Sequence, residues 1–254
     1  MVQISTFSGF LTAIQGTEDI VLTADLDAQA EGFESIASLN IRCNLDGQGH
    51  SISNIIILNK TGINFSCNSI KNIEFSQLLI KEADSSYTFA YTSGAACTIE
   101  NCRFGMGIDC AGGNLGVGSS DSSFPLTFKE CAFDISIQRG ERLITYNYDS
   151  YQKCNFVLRN LALDDFMWSG SQIFCAFVLY QCLFFGRCSV KLSNFQSSYL
   201  DLEDCTGAIN NVYGGSNSLF CNHGSVSVSS VSVEQVTAEQ LQSESYLREI
   251  GFLP

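Results

Sequence analysis

The residues of this chain equipped for chemistry are few and scattered. Two adjacent carboxylates, Asp164-Asp165, and a histidine between small polar residues, Asn222-His223-Gly224, are the pieces from which a glycosidase could be assembled. Breaking a glycosidic bond needs one carboxyl as acid and a second as base or nucleophile, placed across the bond from each other. Here 58 residues separate Asp165 from His223. The plainer reading makes Asp164-Asp165 a turn and His223 an exposed loop residue. Arg139-Gly-Glu-Arg142 sets arginines beside a single acid, which is no calcium cage. A cysteine nucleophile needs a histidine partner, and of the two histidines His50 sits in an N-terminal turn. Asp164, Asp165 and His223 stand as the catalytic candidates, with no metal site and no cofactor expected. For ligand binding, the candidates are Tyr87, Tyr91 and Trp168. They lie in SSYTFAYTSGAA (85–96) and LDDFMWSGSQ (163–172), which with GGNLGVGSSDSSF (112–124) interrupt the regular pattern. Aromatic rings beside Asp, Asn and Ser suit carbohydrate, and insertions on one face of a repeat protein often form its binding surface. Solvated bends with ring edges packed on the body would look the same.

The composition narrows the partners. A net charge of −13, with 26 acidic against 13 basic residues and no basic stripe, argues against nucleic acid and anionic membrane surfaces. The longest apolar stretch, IFCAFVLYQCLFF (173–185), is shorter than the roughly 18–20 residues of a spanning helix and carries Gln181. The chain opens MVQISTF, without the charged start and apolar run of a secretory signal. The expectation is a protein that stays where it is made, or one matured from a cut precursor. The sequons at 59–61 and 64–66 then read as chance. Twelve cysteines scattered mostly one at a time, with no CxxC pair, read as reduced, buried thiols rather than disulfides or a metal ladder.

The elements that must position these residues come from an internal repeat. A frame of apolar, any, polar, Cys/Ile/Val, any, Phe/Ile/Val recurs with its fourth position at 55, 73, 102, 131, 154, 182, 205 and 231. In the frame at 205, Gly207 replaces the final apolar residue, and Leu158-Arg-Asn-Leu161 fits as well as the frame at Cys154. Alternation at positions four and six is the two-residue period of a half-buried strand. A period of about 25 residues is too short for a propeller blade of roughly 40–45. It suits a coiled parallel sheet in which each turn stacks about 4.8 Å above the last. Equivalent side chains then form ladders. The expected ones are Cys102, Cys131, Cys154, Cys182 and Cys205, and beside them Phe104, Phe133, Phe156 and Phe184. Cysteine fits such a position because it is small, apolar and prefers deep burial.

A solenoid needs its ends covered. Phe7, Phe10, Leu11 and Ile14 predict an amphipathic helix after Ser5-Thr6, with Gly16 just past it and a first strand in DIVLTADLD (19–27). Thr237-Ala-Glu-Gln240 is a capping box opening a helix that carries Leu241, Tyr246, Leu247 and Ile250, and Gly251 stands where a left-handed terminator belongs. The expected fold is thus all-β, a right-handed parallel β-helix of about eight turns with a short helix capping each end. It divides into an N-terminal capping helix and first strand (1–30), the β-helix (31–236), and a C-terminal capping helix and tail (237–254).

The stretches STFSGFLTAI…IVLTADLD (5–27) and CNLDGQGHSISNI (43–55), with the repeated N/E-C-x-F frames, resemble pectin-lyase-like right-handed β-helix proteins. LQSESYLREIGF (241–252) is similar to a short tail that follows β-helical segments in surface proteins of gut bacteria. The polygalacturonase branch of that fold would imply an Asp, an Asp-Asp pair, a Gly-His-Gly and an Arg-x-Lys on neighbouring turns. This chain has neither an Asn-Thr-Asp before Asp164 nor an Arg-Ile-Lys after His223. The resemblance extends to fibre and spike proteins of bacteriophages. It implies a non-enzymatic virion subunit (fibre, spike or decoration) assembled in a host cytoplasm, with partners among its own copies, other virion proteins and host polysaccharide. The alternatives are a carbohydrate-active lyase or hydrolase, and an adhesin-like module of a bacterial surface.

Overall fold

A computed structural model describes residues 1–253 except 60, 82–85, 93–95, 110–113, 118–123, 140–141, 146–148, 169–170, 193–194 and 216. The side chains of 61, 86–91, 114–117, 137–139, 142–145, 165, 167, 168 and 187 are likewise outside the description. The chain winds into an all-parallel β-solenoid of about seven turns. Among the described residues it has three sheets. The first sheet runs from Val2–Ile4 to Phe195–Gln196 and has nine strands. The second, of eleven, includes Leu26–Asp27, Glu74–Lys81, Arg103–Asp109, Ala132–Arg139, Asn155–Arg159, Ala176–Tyr180, Ser198–Glu203, Ser218–His223 and Glu234–Gln235. The third, of ten, includes Leu39–Ile41, Ala162–Leu163, Asp165–Trp168, Leu183–Leu192, Thr206–Gly214 and Ser227–Val231.

The corners between sheets explain why the frame recurs. Where the first sheet passes into the second, Asn72, Asn101, Glu130, Lys153, Phe174 and Ser197 each adopt a left-handed conformation, with φ between 46° and 54°, and Asn217, entering the second sheet after Thr206–Gly214 of the third, does so at 61°. Where the second passes into the third, Asn160, Gln181 and Asp204 do the same, and in the earlier turns Asn54 and Gln77 bend the second sheet itself, all with φ between 50° and 58°. A single left-handed residue turns an extended chain sharply, and Asn and Asp tolerate it best because their short polar side chains bond locally. The residue that follows points inward. At the first corner these are Ile73, Cys102, Cys131, Cys154, Cys175 and Ser198; at the second and at the two earlier bends, Ile55, Leu78, Leu161, Cys182 and Cys205. Each of these side chains is buried.

The single cysteine ladder expected from sequence is therefore two. Cys102, Cys131 and Cys154 belong to one corner and continue into Cys175, whereas Cys182 and Cys205 belong to the other. Both frames near 154–161 fit because one turn carries both corners. The phenylalanine ladder shifts for the same reason. Phe75, Phe104, Phe133, Phe156 and Phe177 are in register along the second sheet, while Phe184 pairs with Leu163 in the third. Ring centroids along that stack are 5.5, 5.1, 4.5 and 4.5 Å apart with interplanar angles of 16° or less. Parallel in-register pairing imposes the stacking, since equivalent residues sit one strand spacing apart. Phe128 and Tyr151 stack in the same way at 5.1 Å on the first sheet.

The corner thiols also bond. Cys131 Sγ lies 3.4 Å from Ile99 O one turn below and 3.3 Å from Lys129 O two residues back. Cys154, Cys175, Cys182 and Cys205 repeat both contacts at 3.1–3.7 Å. Ser198 takes the same place, its hydroxyl donating to Gln172 O at 3.3 Å and Gln196 O at 3.0 Å. Where Cys or Ser fills the corner, a small residue also offers a donor, whereas Ile55, Ile73, Leu78 and Leu161 fill it with apolar bulk alone. The eleven described cysteines are free and buried. Burial pushes the Cys43 thiol up to about 11.

Gly207, where the frame loses its apolar residue, has φ 99°, and a Cβ there would stand 2.0 Å from Phe184 O. Only glycine fits so close a strand.

Helices stand at both ends. The helix α1 (Phe7–Ala13) is capped by Thr6, which accepts from Gly9 N at 3.2 Å, and it buries Phe7 and Phe10 in the coil. The Glu31 carboxylate accepts from Phe7 N and, at 3.1 Å, from Ser8 N. At the other end the capping box forms: Gln240 N donates to Thr237 Oγ1 at 3.2 Å and Thr237 N to Gln240 Oε1 at 2.8 Å. The single helix expected there is two, α2 (Ala238–Gln242) and α3 (Glu244–Glu249). Ser243 has an extended backbone and caps α3, so its side chain ends one helix by starting the next. Gly251 has φ 72° and terminates α3 as expected. These helices pack on the outward face of the last turns, where Leu219, Cys221, Val236, Leu247 and Phe252 form a small core separate from the coil interior.

Candidate functional site

The structure places Asp164 and His223 on different sheets. Asp164 is a buried bend residue between the short strands Ala162–Leu163 and Asp165–Trp168 of the third sheet. His223 ends the strand Ser218–His223 of the second sheet. The backbone of Asp165 pairs with Arg142; its side chain, like those of Tyr87, Tyr91 and Trp168, lies outside the described residues. The likeness of Asn222-His223-Gly224 to a catalytic triplet has a structural cause. Asn222 Nδ2 donates to Val226 O at 2.8 Å, and a Cβ on Gly224 would stand 2.7 Å from Cys205 O. The triplet closes a tight turn against the strand below.

His223 does have acidic neighbours, and they are ones the sequence reading passed over. Parallel register on the second sheet aligns Arg159, Tyr180, Glu203 and His223 in one outward row. It aligns Val157, Val178, Asp201 and Cys221 in the next. Along the first row, Arg159 makes a two-pronged bond to Asp134 at 2.8 and 3.2 Å, with its guanidinium 5.5 Å from the centre of the Tyr180 ring. At the C-terminal end, one oxygen each of Asp201 and Glu203 and one ring nitrogen of His223 come within 4.8 Å of one another. His223 Nδ1 lies 3.8 Å from Asp201 Oδ2, too far for a hydrogen bond.

Asp201 is the unusual member. It points outward, yet its side chain is 7% exposed against 49% for His223. Its flanking register neighbours are Val178 and Cys221, and Tyr199 and Leu219 beside it pack under the C-terminal helices. Oδ1 has no hydrogen-bond partner among the described residues. A buried carboxylate with one unbonded oxygen is costly, because desolvation of a charge is repaid only by close partners. The surroundings register the charge. Burial first, and then Asp201, push the Cys221 thiol up to about 12 and raise the Tyr199 phenol. The signal that could have found this group is the i, i+2 pair Asp201-Leu-Glu203 one turn before His223, legible only once the register is known.

A groove of about 780 Å³ opens beside α1, lined among others by Val2, Ile4, Thr12, Ala13 and Glu18. It offers Glu18 alone as a titratable side chain, which gives it no acid–base pair. Among the described residues no helix is long and apolar enough to cross a membrane. Searches of protein-family models, curated proteins and solved structures return no match.

Proposed function

We propose that this chain is a non-enzymatic structural subunit of a bacteriophage particle, a fibre, spike or decoration module of the right-handed, pectin-lyase-like class. On this reading it touches host glycan and its own copies through its outer faces. The observation that supports the non-enzymatic reading is the separation of Asp164 from His223. Asp164 is buried at a bend of the third sheet while His223 ends a strand of the second. An acid and base must face each other across a bond, and Asp164 and His223 on different sheets give that arrangement no support. What remains is a rod whose interior is a continuous stack of rings and thiols, a suitable form for bearing load.

Two further features favour assembly in a particle. Eleven buried free thiols suit a chain folded in a reducing compartment such as a host cytoplasm. On the third sheet, Leu183 and Phe185 alternate outward and are 43% and 41% exposed, an apolar pair suited to contact with a second copy. Light scattering after size exclusion tests the reading. A stable homo-oligomer, dissociated by Phe185→Asp, is the expected result. A monomer that releases reducing ends from a polysaccharide panel would overturn it.

A further inference from the structure

We infer that Asp201, Glu203 and His223 form a binding site for a divalent transition metal of the zinc class. The inference is independent of the virion reading. Three observations carry it. The three side chains converge, with one ligand atom from each within a common 4.8 Å. Asp201 is held there by the strand Ser198–Glu203 with its side chain 93% buried and Oδ1 lacking a hydrogen-bond partner among the described residues. The third donor is an imidazole, which selects against magnesium and calcium, ions that take all-oxygen shells.

The geometry suits the ion after a small closure. Zinc binds imidazole nitrogen and carboxylate oxygen at about 2.0–2.2 Å in a tetrahedron, which sets neighbouring ligands roughly 3.4 Å apart. The Asp201–His223 pair stands at 3.8 Å, and His223, half exposed at the end of its strand, is free to close the difference by side-chain rotation. Three protein ligands leave a fourth position toward solvent for water. Two ligands come from one strand and the third from the strand of the next turn, so the ion would clamp two neighbouring turns together near the C-terminal end of the coil.

The test uses the full chain, stripped with a chelator and titrated by calorimetry with zinc chloride, with manganese and calcium chlorides as comparators. The site predicts one zinc per chain, a raised melting temperature, and X-ray absorption showing nitrogen and oxygen ligands without sulfur. The sulfur readout separates this site from the cysteine ladders, which could take zinc on unfolding. His223→Gln and Glu203→Gln, at side chains that are not fully buried, should each keep the fold and weaken zinc at least about tenfold. Asp201→Asn should abolish binding. No binding at millimolar zinc would overturn the inference. So would sulfur ligation, affinity unchanged in both conservative variants, or calcium bound as tightly as zinc.

Discussion

Cys131 offers a test of what the corner ladder requires. Replacing it with alanine removes a buried sulfur and two contacts, to Ile99 O at 3.4 Å and Lys129 O at 3.3 Å. Lys129 O keeps a backbone partner, since Asn101 N donates to it at 2.9 Å. The bonding loss is therefore that of a weak donor, about 0.5–1 kcal/mol. The vacated sulfur site adds about 1 kcal/mol for lost burial and residual cavity. The sum for Cys131→Ala is about 1.5–2 kcal/mol. Cys131→Ser keeps a donor of nearly the same reach, and Ser198 shows that the corner accepts it, with bonds of 3.0 and 3.3 Å. Serine should therefore cost less than alanine, by about 0.5–1 kcal/mol. Urea unfolding followed by circular dichroism would measure both, provided the slope against denaturant is unchanged. If serine proves as costly as alanine, the thiol acts by volume alone and the donor argument fails.

Other perturbations follow from the same geometry. Phe156→Ala opens the middle of the ring stack, with neighbours at 4.5 Å on both sides, and should cost about 3–5 kcal/mol in the same assay. Gly207→Ala drives a methyl into Phe184 O and should destabilise the chain by more than about 2 kcal/mol, with the first loss of amide protection in the strands Leu183–Leu192 and Thr206–Gly214. Thr237→Ala breaks the capping box and should cost about 1 kcal/mol, read as faster amide exchange in α2. Backbone bonds from Phe7 and Ser8 hold the Glu31 carboxyl below its ordinary 4.5. Its contribution to anchoring α1 is then complete above pH 4.5 and lost as pH falls through the lower folded value. Glu31→Gln should remove that acid-dependent loosening of the Phe7 and Ser8 amides. A thiol-reactive probe should label at most one of the twelve cysteines until the chain unfolds, because eleven are buried and free.

The sequence by itself determined the class of fold. Alternation of period two inside a longer repeat requires strands that pair with their own equivalents, and small thiols beside large rings require a narrow stacked core. The helix at each end was equally legible, because Thr6, the Thr237–Gln240 pair and Gly251 act on immediate neighbours. What the sequence left undecided was register. The corners that open with Lys153, Phe174 or Gln181 in the left-handed region carry no local preference for it. They adopt it because the turns above and below impose the bend, so the frame alone could not separate one corner from the other. Only the assembled sheets decided that Cys175 rather than Cys182 continues the first ladder. The same register brought His223 to Asp201 and Glu203, which lie 22 and 20 residues before it in the chain but only one strand spacing away. Parallel pairing turns sequence distance into an inter-strand step, and that step is a property of the coil rather than of any segment within it.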